Sequence, residues 1–171
     1  MNTIFRLFLF GSVLLLAACS VPAEEELVTV VEDVNLISLT EDGLNLSFVN
    51  LPDKGMEMEP AVTFNDQLGR YEISLSEDLT FCISEEETSI DDIKNDLRND
   101  LLFTYKFYDE GTDALLYQAV LPDGTDYLYQ YAKILKVNSK KFLLFSDTHG
   151  EFSLKQIKLI KKAINSVSSL D

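Results

Sequence analysis

The sequence predicts an α+β fold, in which an antiparallel β-sheet is flanked by two amphipathic helices. Much of the chain after residue 26 consists of short segments in which apolar and polar residues alternate, with turn-forming residues between them. This is the pattern of antiparallel strands that bury one face. Two other segments repeat apolar residues at intervals of three and four, as helices with one buried side do. Such a mixture favours a layered domain.

Strands dominate the first half of the domain. They are predicted at 27–31, 34–39, 44–48, 71–75 and 79–83. β-branched residues favour the first two strands, and the alternation of apolar and polar residues indicates the other three. The segment 51–60 contains two prolines and a glycine and is therefore predicted to be a loop.

The first helix is predicted to begin after Ser89. This serine can cap the helix, and Asp92 completes a variant of the capping box. Asp91 and Asp92 also complement the positive end of the helix dipole. Apolar residues at helical spacing define the buried side, and they are Ile90, Ile93, Leu97 and Leu101.

Further strands lead to a second helix. The strands are predicted at 101–108, 114–121, 125–137 and 141–146. The segment 114–121 is nearly all apolar, which is typical of a central strand covered on both faces. Ser153 and Gln156 form a capping box at the start of the helix. Its buried residues are predicted to be Ile157, Ile160, Ile164 and Val167.

The second helix also carries a basic feature on an otherwise acidic chain. Its lysines are Lys155, Lys158, Lys161 and Lys162. They lie largely away from the apolar side of the helix. They form either a solvated face that pairs with nearby carboxylates or a docking surface.

The N-terminus resembles the signal of a bacterial lipoprotein. Residues 1–18 combine one positive charge, Arg6, with a twelve-residue apolar run. Such a run is too short to cross a hydrocarbon core of ~30 Å and has the length of the apolar region of a signal peptide. The run ends in LAAC, with Cys19 last, like a lipobox. The alternative is an ordinary secretory signal that is cleaved near Ala18.

The lipobox resemblance implies that cleavage leaves Cys19 as the mature N-terminus. Diacylglycerol is attached to its sulfur before this cleavage, and a fatty acyl chain, such as palmitate, is attached to the new amino group after it. Two or more such chains hold a protein stably on a membrane. Residues 19–26 become a lipidated tether, and residues 27–171 form a single domain. Ser20, rather than aspartate, follows Cys19, which favours the inner leaflet of the outer membrane, facing the periplasm.

The chain is strongly acidic. Its net charge is −15, and removal of residues 1–18 makes it −16. A field of this sign repels phosphate backbones, which argues against nucleic acid as a partner. The charge serves either solubility or the encounter with a basic protein or with cations. Only Cys82 remains as a thiol after lipidation, so no intramolecular disulfide can form. We predict that Cys82 is a structural core thiol.

The segment 146–150, SDTHG, resembles the first metal-binding motif of dinuclear phosphoesterases, in which a strand ends in Asp-x-His. Two-metal sites of this kind need many ligands from several loops. However, His149 is the only histidine in the chain, and only 21 residues follow Gly150. The segment is therefore predicted to be a strand end and a polar loop. The sequence shows no nucleophile elbow, phosphate loop or dinucleotide fingerprint, so we predict no catalytic residue, no metal and no cofactor.

Two groups of residues are candidate contacts for a protein partner. They are Tyr127, Tyr129, Tyr131, Glu85, Glu86 and Glu87. The tyrosines form either an aromatic binding face, since tyrosine is enriched at interfaces, or a half-buried sheet surface. The glutamates, and the acidic loop at 109–113, are either solvated carboxylates or ligands of Ca²⁺, which takes about 6–8 oxygens.

The mature chain resembles small bacterial lipoproteins of the PsbP/Mog1-like type. The resemblance lies in the strands at 71–83, the acidic-capped helix at 89–100, the later long strands and the closing helix that ends IKKAINSVSSL. It implies an α/β/α sandwich, a fold whose members mostly bind other proteins. We therefore expect a membrane-anchored periplasmic lipoprotein that acts as a non-catalytic protein-binding module, either an accessory of an envelope complex or an immunity-like protein. The alternative is a protein that binds a cation or a small ligand through carboxylates.

Overall fold

A computed structural model describes residues 35–40, 42–50 and 60–170. The elements among these residues are β1 Asn35–Ser38, β2 Leu46–Asn50, β3 Ala61–Asn65, β4 Arg70–Ser76, β5 Leu79–Glu85, α1 Ile90–Arg98, β6 Thr104–Glu110, β7 Ala114–Val120, β8 Asp126–Val137, β9 Lys140–Ser146, α2 Leu154–Ser166 and β10 Ser168–Ser169. The predicted signal peptide, Cys19, the tether and the strand at 27–31 lie outside the described residues. No helix in the described part of the chain is long and apolar enough to cross a membrane.

Seven strands form one antiparallel sheet in the order β3-β4-β5-β9-β8-β7-β6. The predicted antiparallel sheet and the two helices are thereby confirmed. The prediction that 114–121 is a central strand is confirmed in part, because β7 pairs on both sides, with β6 and β8, but it lies next to the last strand of the sheet. Its buried residues, among them Leu115 and Gln118, point to both faces. An apolar run therefore indicates cover on both faces, but it does not indicate the place of a strand within a sheet.

Three strands form a second, smaller sheet that the sequence did not predict. β2 lies between β1 and β10. The pairing of β2 with β10 matches Ser47 to Ser168, and the Asn45 side-chain amide donates a 2.6 Å hydrogen bond to the carbonyl of Leu170. The two ends of the described chain are therefore joined.

Two hydrophobic cores use alternate residues of the same strands. In the larger core, α2 packs with Phe81, Ile83 and Leu144 of the large sheet and with Leu46 and Phe48 of the small one. The smaller core joins Ile90 of α1 to Leu115 and Ile134, with Leu143 packed against them. Leu143 and Leu144 are neighbours in β9, and successive residues of a strand point to opposite faces.

Both capping boxes are present as predicted. The Ser89 hydroxyl accepts a hydrogen bond from the backbone N–H of Asp92, and the Asp92 carboxylate accepts one from the N–H of Ser89. Ser153 and Gln156 make the equivalent pair of bonds at the start of α2. Each box satisfies two N–H groups that a helix N-terminus otherwise leaves without a partner.

The predicted end of the first helix is wrong. α1 ends at Arg98, with Asn99 as its C-cap, and β6 begins only at Thr104. Leu101 was predicted to lie on the buried side of the helix, but its exposed fraction is 98%. Apolar residues at helical spacing continue to Leu101, although the helix ends at Arg98. The spacing of apolar residues alone does not show where a helix ends.

The strand β3 was also missed. It holds only five residues, and it follows a segment rich in proline and glycine. Its pairing with β4 makes it a strand. The tight turn between them ends at Gly69, whose φ of 62° suits glycine.

Two residues that the sequence singled out have structural roles. Cys82 is fully buried, and burial raises the pKa of its thiol to about 12 against an opposing effect of the nearby Arg70 charge. A thiol in this state is a poor nucleophile. Gly150 lies beneath the ring of Phe152, and a Cβ added to it would stand 2.2 Å from that ring. The glycine of SDTHG therefore makes room for a buried phenylalanine.

Candidate binding groove

The three tyrosines of the predicted row do not share one face. Tyr131 is 2% exposed, its hydroxyl donates a 2.9 Å hydrogen bond to Asn165 of α2, and its ring lies in the larger core. Tyr129 is half-buried and packs against that same core. Tyr127 is 46% exposed. Of the predicted row, only Tyr127 presents a large surface to solvent.

A β-bulge explains why Tyr127 differs from its neighbours. β7 and β8 pair Gln118 with Tyr129 and Val120 with Asp126. Between these pairs, two residues of β8 face the single residue Ala119 of β7. A bulge of this kind bends the strand and breaks the alternation of its side chains. Tyr127 consequently lies with Leu128 and Gln130 along one groove.

The groove has a volume of about 410 Å³ and an aromatic wall. Four rings from three strands and the loop before β6 line it, namely Phe103, Tyr105, Tyr117 and Tyr127. Phe103 stacks on Tyr127 with ring centroids 5.6 Å apart and planes 14° apart. Tyr105 meets Tyr117 edge to face at 5.8 Å. Stacked and edge-to-face pairs are favourable arrangements of aromatic rings, so the wall is preformed.

The polar groups of the groove lie at its edge and at its floor. The Tyr127 hydroxyl donates a 3.1 Å hydrogen bond to the Glu151 carboxylate, and this bond raises the pKa of the tyrosine. The floor contains the buried side chain of Gln130, which accepts a 2.5 Å hydrogen bond from Ser146. Burial raises the pKa of Tyr117 to about 12, and no described residue makes a hydrogen bond with its hydroxyl.

The loop beside the groove presents two leucines to solvent. Leu101 is 98% exposed and Leu102 is 71% exposed, although they directly precede Phe103 of the aromatic wall. Most exposed apolar residues on a protein surface are scattered singly. Here, two adjacent leucines extend the surface of Phe103 and Tyr127. Sequence reasoning placed Leu101 in the helix stripe and missed this feature.

Asp100 holds the leucine loop in place. Its carboxylate accepts hydrogen bonds from the Tyr105 hydroxyl at 2.6 Å and from the backbone N–H groups of Leu102 and Phe103 at 2.7 and 3.2 Å. These bonds, above all that from Tyr105, lower the pKa of Asp100. The carboxylate is therefore ionised at neutral pH and ties the loop to the aromatic wall.

The acidic triplet lies far from the groove and is mostly paired. Glu85 bonds to Lys140 at 2.7 Å, and Glu87 bonds to Lys141 at 2.8 Å. Glu86 accepts a 2.5 Å hydrogen bond from Ser84. Glu85 stands in register with Phe142 of β9, which in turn pairs with Leu135 of β8, so Glu85 and Leu135 lie at the same level of the sheet with β9 between them. Leu135 is eight residues from Tyr127 along that strand, a separation of roughly 26 Å. One compact partner-binding site does not include both groups.

The Asp147–His149 loop shows no metal-binding geometry. The His149 side chain is 79% exposed, and its Nδ1 lies 3.4 Å from the Asp147 carboxylate, which also faces Arg70 at 3.4 Å. No group of three or more histidine, cysteine, aspartate or glutamate side chains among residues 35–40, 42–50 and 60–170 is arranged to hold a metal ion. Asp109 of the other candidate loop pairs with Lys161.

No protein-family model, curated protein or solved structure matches this chain.

Proposed function

We propose that this chain is a lipid-anchored protein of the bacterial cell envelope that binds another protein through its aromatic groove and has no catalytic role. Cys19 carries the anchor, in the inner leaflet of the outer membrane, and the domain stands in the periplasm. The support for the anchor is the LAAC sequence after a short apolar run. The support for protein binding is the groove and the leucines beside it.

We propose further that the two helices and the large sheet form an α/β/α sandwich of the PsbP/Mog1-like type. The support is the alternation of core residues along the strands. α2 packs with residues such as Leu144, whereas α1 packs with a cluster that includes Leu143, and neighbours in a strand point to opposite faces. The groove lies on the α1 side, because Tyr117 shares the parity of Leu115 and packs against the same cluster.

The exposure of Leu101 and Leu102 carries the proposal for protein binding. Large aromatic and aliphatic anchors that enter a desolvated interface supply most of its binding energy. Leu101 and Leu102 are too exposed to contribute to folding. Asp100 holds the backbone N–H groups of Leu102 and Phe103, so less backbone entropy is lost when the loop binds. A partner therefore receives the two leucines in a pocket of its own and inserts an apolar side chain beside Phe103 and Tyr127.

The charge of the groove edge identifies the chemistry of the partner. Glu151 lines the groove beside the exposed ring of Tyr127, and Asp100 contacts the hydroxyl of Tyr105, another ring of the aromatic wall. A lysine or arginine of the partner can pair with these carboxylates and lie over the face of Tyr127, as cations do on aromatic rings. The net charge of −16 that remains after removal of residues 1–18 speeds the encounter with such a basic surface.

The groove proposal predicts the effect of two adjacent substitutions. Leu101→Asp with Leu102→Asp should reduce the recovery of co-purified envelope proteins at least about tenfold, because charge in a desolvated hot spot abolishes its contribution. The measurement is quantitative mass spectrometry of proteins retained by the tagged, detergent-solubilised full chain from its own cells. Circular dichroism should show an unchanged fold.

The matched control places the same charges on exposed apolar residues elsewhere. Leu36 and Leu68 are 57% and 54% exposed, and Leu36→Asp with Leu68→Asp should leave the recovered proteins unchanged. Equal recovery with both double variants would refute the groove as the binding site.

The anchor proposal has its own test. The N-terminal peptide of the chain purified from its host membrane should begin at Cys19 and carry the mass of three acyl chains, because a lipobox directs both cleavage and acylation. Intact mass and peptide mass spectrometry measure this directly. An unmodified thiol at Cys19 would contradict the proposed lipid anchor, but it would not bear on the proposal that the groove binds a protein.

A further inference from the structure

The solvent side of α2 is a basic stripe. Lys155, Lys158 and Lys162 are exposed. At 100° per residue, they cluster directly opposite the buried residues of the helix, Ile157, Ile160, Ala163 and Ile164. No aspartate or glutamate occurs between residues 154 and 170, although the whole chain holds 29 of them against 14 lysines and arginines. The basic stripe is therefore a region of positive charge on a protein whose net charge is negative.

The three lysines of the basic stripe are not neutralised within the described fold. Five other lysines pair with carboxylates, and they are Lys94, Lys106, Lys140, Lys141 and Lys161. None of the described carboxylates lies within ion-pair distance of the basic stripe. Unpaired charges in a row on a rigid helix form a surface that attracts an extended anionic surface.

The described chain begins close to the C-terminal end of this helix. The backbone N–H of Val49 in β2 donates a 2.9 Å hydrogen bond to the hydroxyl of Ser166, and the paired strand β1 starts at Asn35. Asn35 lies sixteen positions after Cys19, and this length of chain can span at most roughly 55 Å. A chain anchored at Cys19 therefore keeps the described domain within this distance of a bilayer.

We propose that the basic stripe rests on anionic phospholipid headgroups of the membrane that holds Cys19. This inference depends on the lipid anchor proposed above. Charges are screened over about 8 Å at physiological salt, so the local stripe, and not the net negative charge of the domain, determines the interaction at contact. The anchor keeps the stripe at high local concentration beside the membrane. Because the groove lies on the α1 side of the sheet, it then faces away from the membrane, toward a partner in the periplasm.

Lysine acylation on vesicles tests this orientation. The full chain is reconstituted into vesicles of phosphatidylcholine alone or mixed with phosphatidylglycerol, treated briefly with an acetylating reagent, and analysed by peptide mass spectrometry. Labelling of Lys155, Lys158 and Lys162 should fall about threefold or more in the anionic vesicles, because each basic residue gains contact with the charged surface. Labelling of Lys136 and Lys141, which share the strand parity of Ile134 and Leu143 on the α1 side, should not change, and high salt should restore labelling of the stripe.

A matched variant separates the basic stripe from net charge. Lys133→Gln, Lys136→Gln and Lys140→Gln together remove three positive charges elsewhere, and protection of the stripe should persist. Equal labelling of the stripe in both vesicle types would overturn the proposal. Protection that occurs only in native envelopes, and not in anionic vesicles, would identify an acidic protein as the occupant and also overturn it. Flotation of the chain with phosphatidylcholine vesicles in high salt depends on the acyl anchor alone. A chain that does not float lacks the anchor, whereas a chain that floats but shows no protection of the stripe contradicts only the present proposal.

Discussion

Phe48→Ala should lower the free energy of unfolding by about 3–5 kcal/mol, the usual cost of removing a buried phenylalanine ring. Phe48 is fully buried in β2, and its ring meets Phe81 of β5 edge to face at 5.6 Å. This contact joins the small sheet to the large one. Since domains are stable by only about 5–15 kcal/mol, the loss removes a large share of the total. The variant should populate unfolded chains at temperatures that the parent tolerates.

Urea unfolding followed by circular dichroism measures this effect. The midpoint should fall while the slope stays constant, because the surface exposed on unfolding is unchanged. Phe64→Ala is the control, since Phe64 is 48% exposed and contacts only Tyr71 among the described rings. Its cost should stay below about 1–1.5 kcal/mol, the range of one aromatic pair. Equal losses in both variants would mean that the two sheets do not share a core.

Arg70→Met should destabilise the domain by about 2–3 kcal/mol, below the range for a fully buried ion pair because its partners are partly solvated. Arg70 is 9% exposed. Its guanidinium lies 2.9 Å from the Glu72 carboxylate and 3.4 Å from that of Asp147, and it sits over the ring of Phe145. Burial disfavours its charged form, but its neighbours, above all Glu72 through their hydrogen bond, more than offset this effect and raise its pKa. Without the cation, the partly buried carboxylates of Glu72 and Asp147 lose the positive charge that both of them contact.

The same physical argument predicts a rescue. Arg70→Met combined with Glu72→Gln and Asp147→Asn should recover most of the lost free energy, because no uncompensated charge remains. Arg98→Met is the control, since Arg98 is exposed and lies over Phe107 at 5.7 Å. That contact is worth about 1 kcal/mol or less. A triple variant no more stable than Arg70→Met would show that packing of the arginine, and not its charge, stabilises the site.

The parts of the fold that could be predicted from the sequence are those that depend on local interactions. Ser89 with Asp92 and Ser153 with Gln156 lie three residues apart, and these spacings alone define the starts of both helices. Most strands were found because alternation of apolar and polar residues is also local. The end of α1 was missed because the spacing of apolar residues continues to Leu101.

The features that were missed depend on residues far apart in the chain. The small sheet depends on the pairing of β2 with β10. The strand β10 has only two residues, which is too short for an alternation of apolar and polar residues to be recognised. The short strand β3 is defined by its partner. Tyr131 was a reasonable candidate for a surface row, but its burial under α2 depends on which face the helix covers.

The groove could be predicted only in part. Tyr127 was identified from its residue type, whereas Phe103, Tyr105 and Tyr117 were assigned to strands without a site. A bulge opposite Ala119 brings Tyr127 next to these three aromatic residues. The alternation of apolar and polar residues in the sequence does not reveal such a bulge. The exposure of Leu102 follows from the hydrogen bonds of Asp100 to the backbone, which no spacing rule describes.

The closure of the small sheet determines when the chain can finish folding. The hydrogen bond from Asn45 to Leu170 joins residues 125 positions apart, and contacts that close such long loops form late. During translation, β10 emerges after every other described element, so β2 has no partner on that side until all the others have been synthesised. If the chain is exported before it folds, as the proposed lipoprotein signal implies, this order delays completion of the fold until β10 is available.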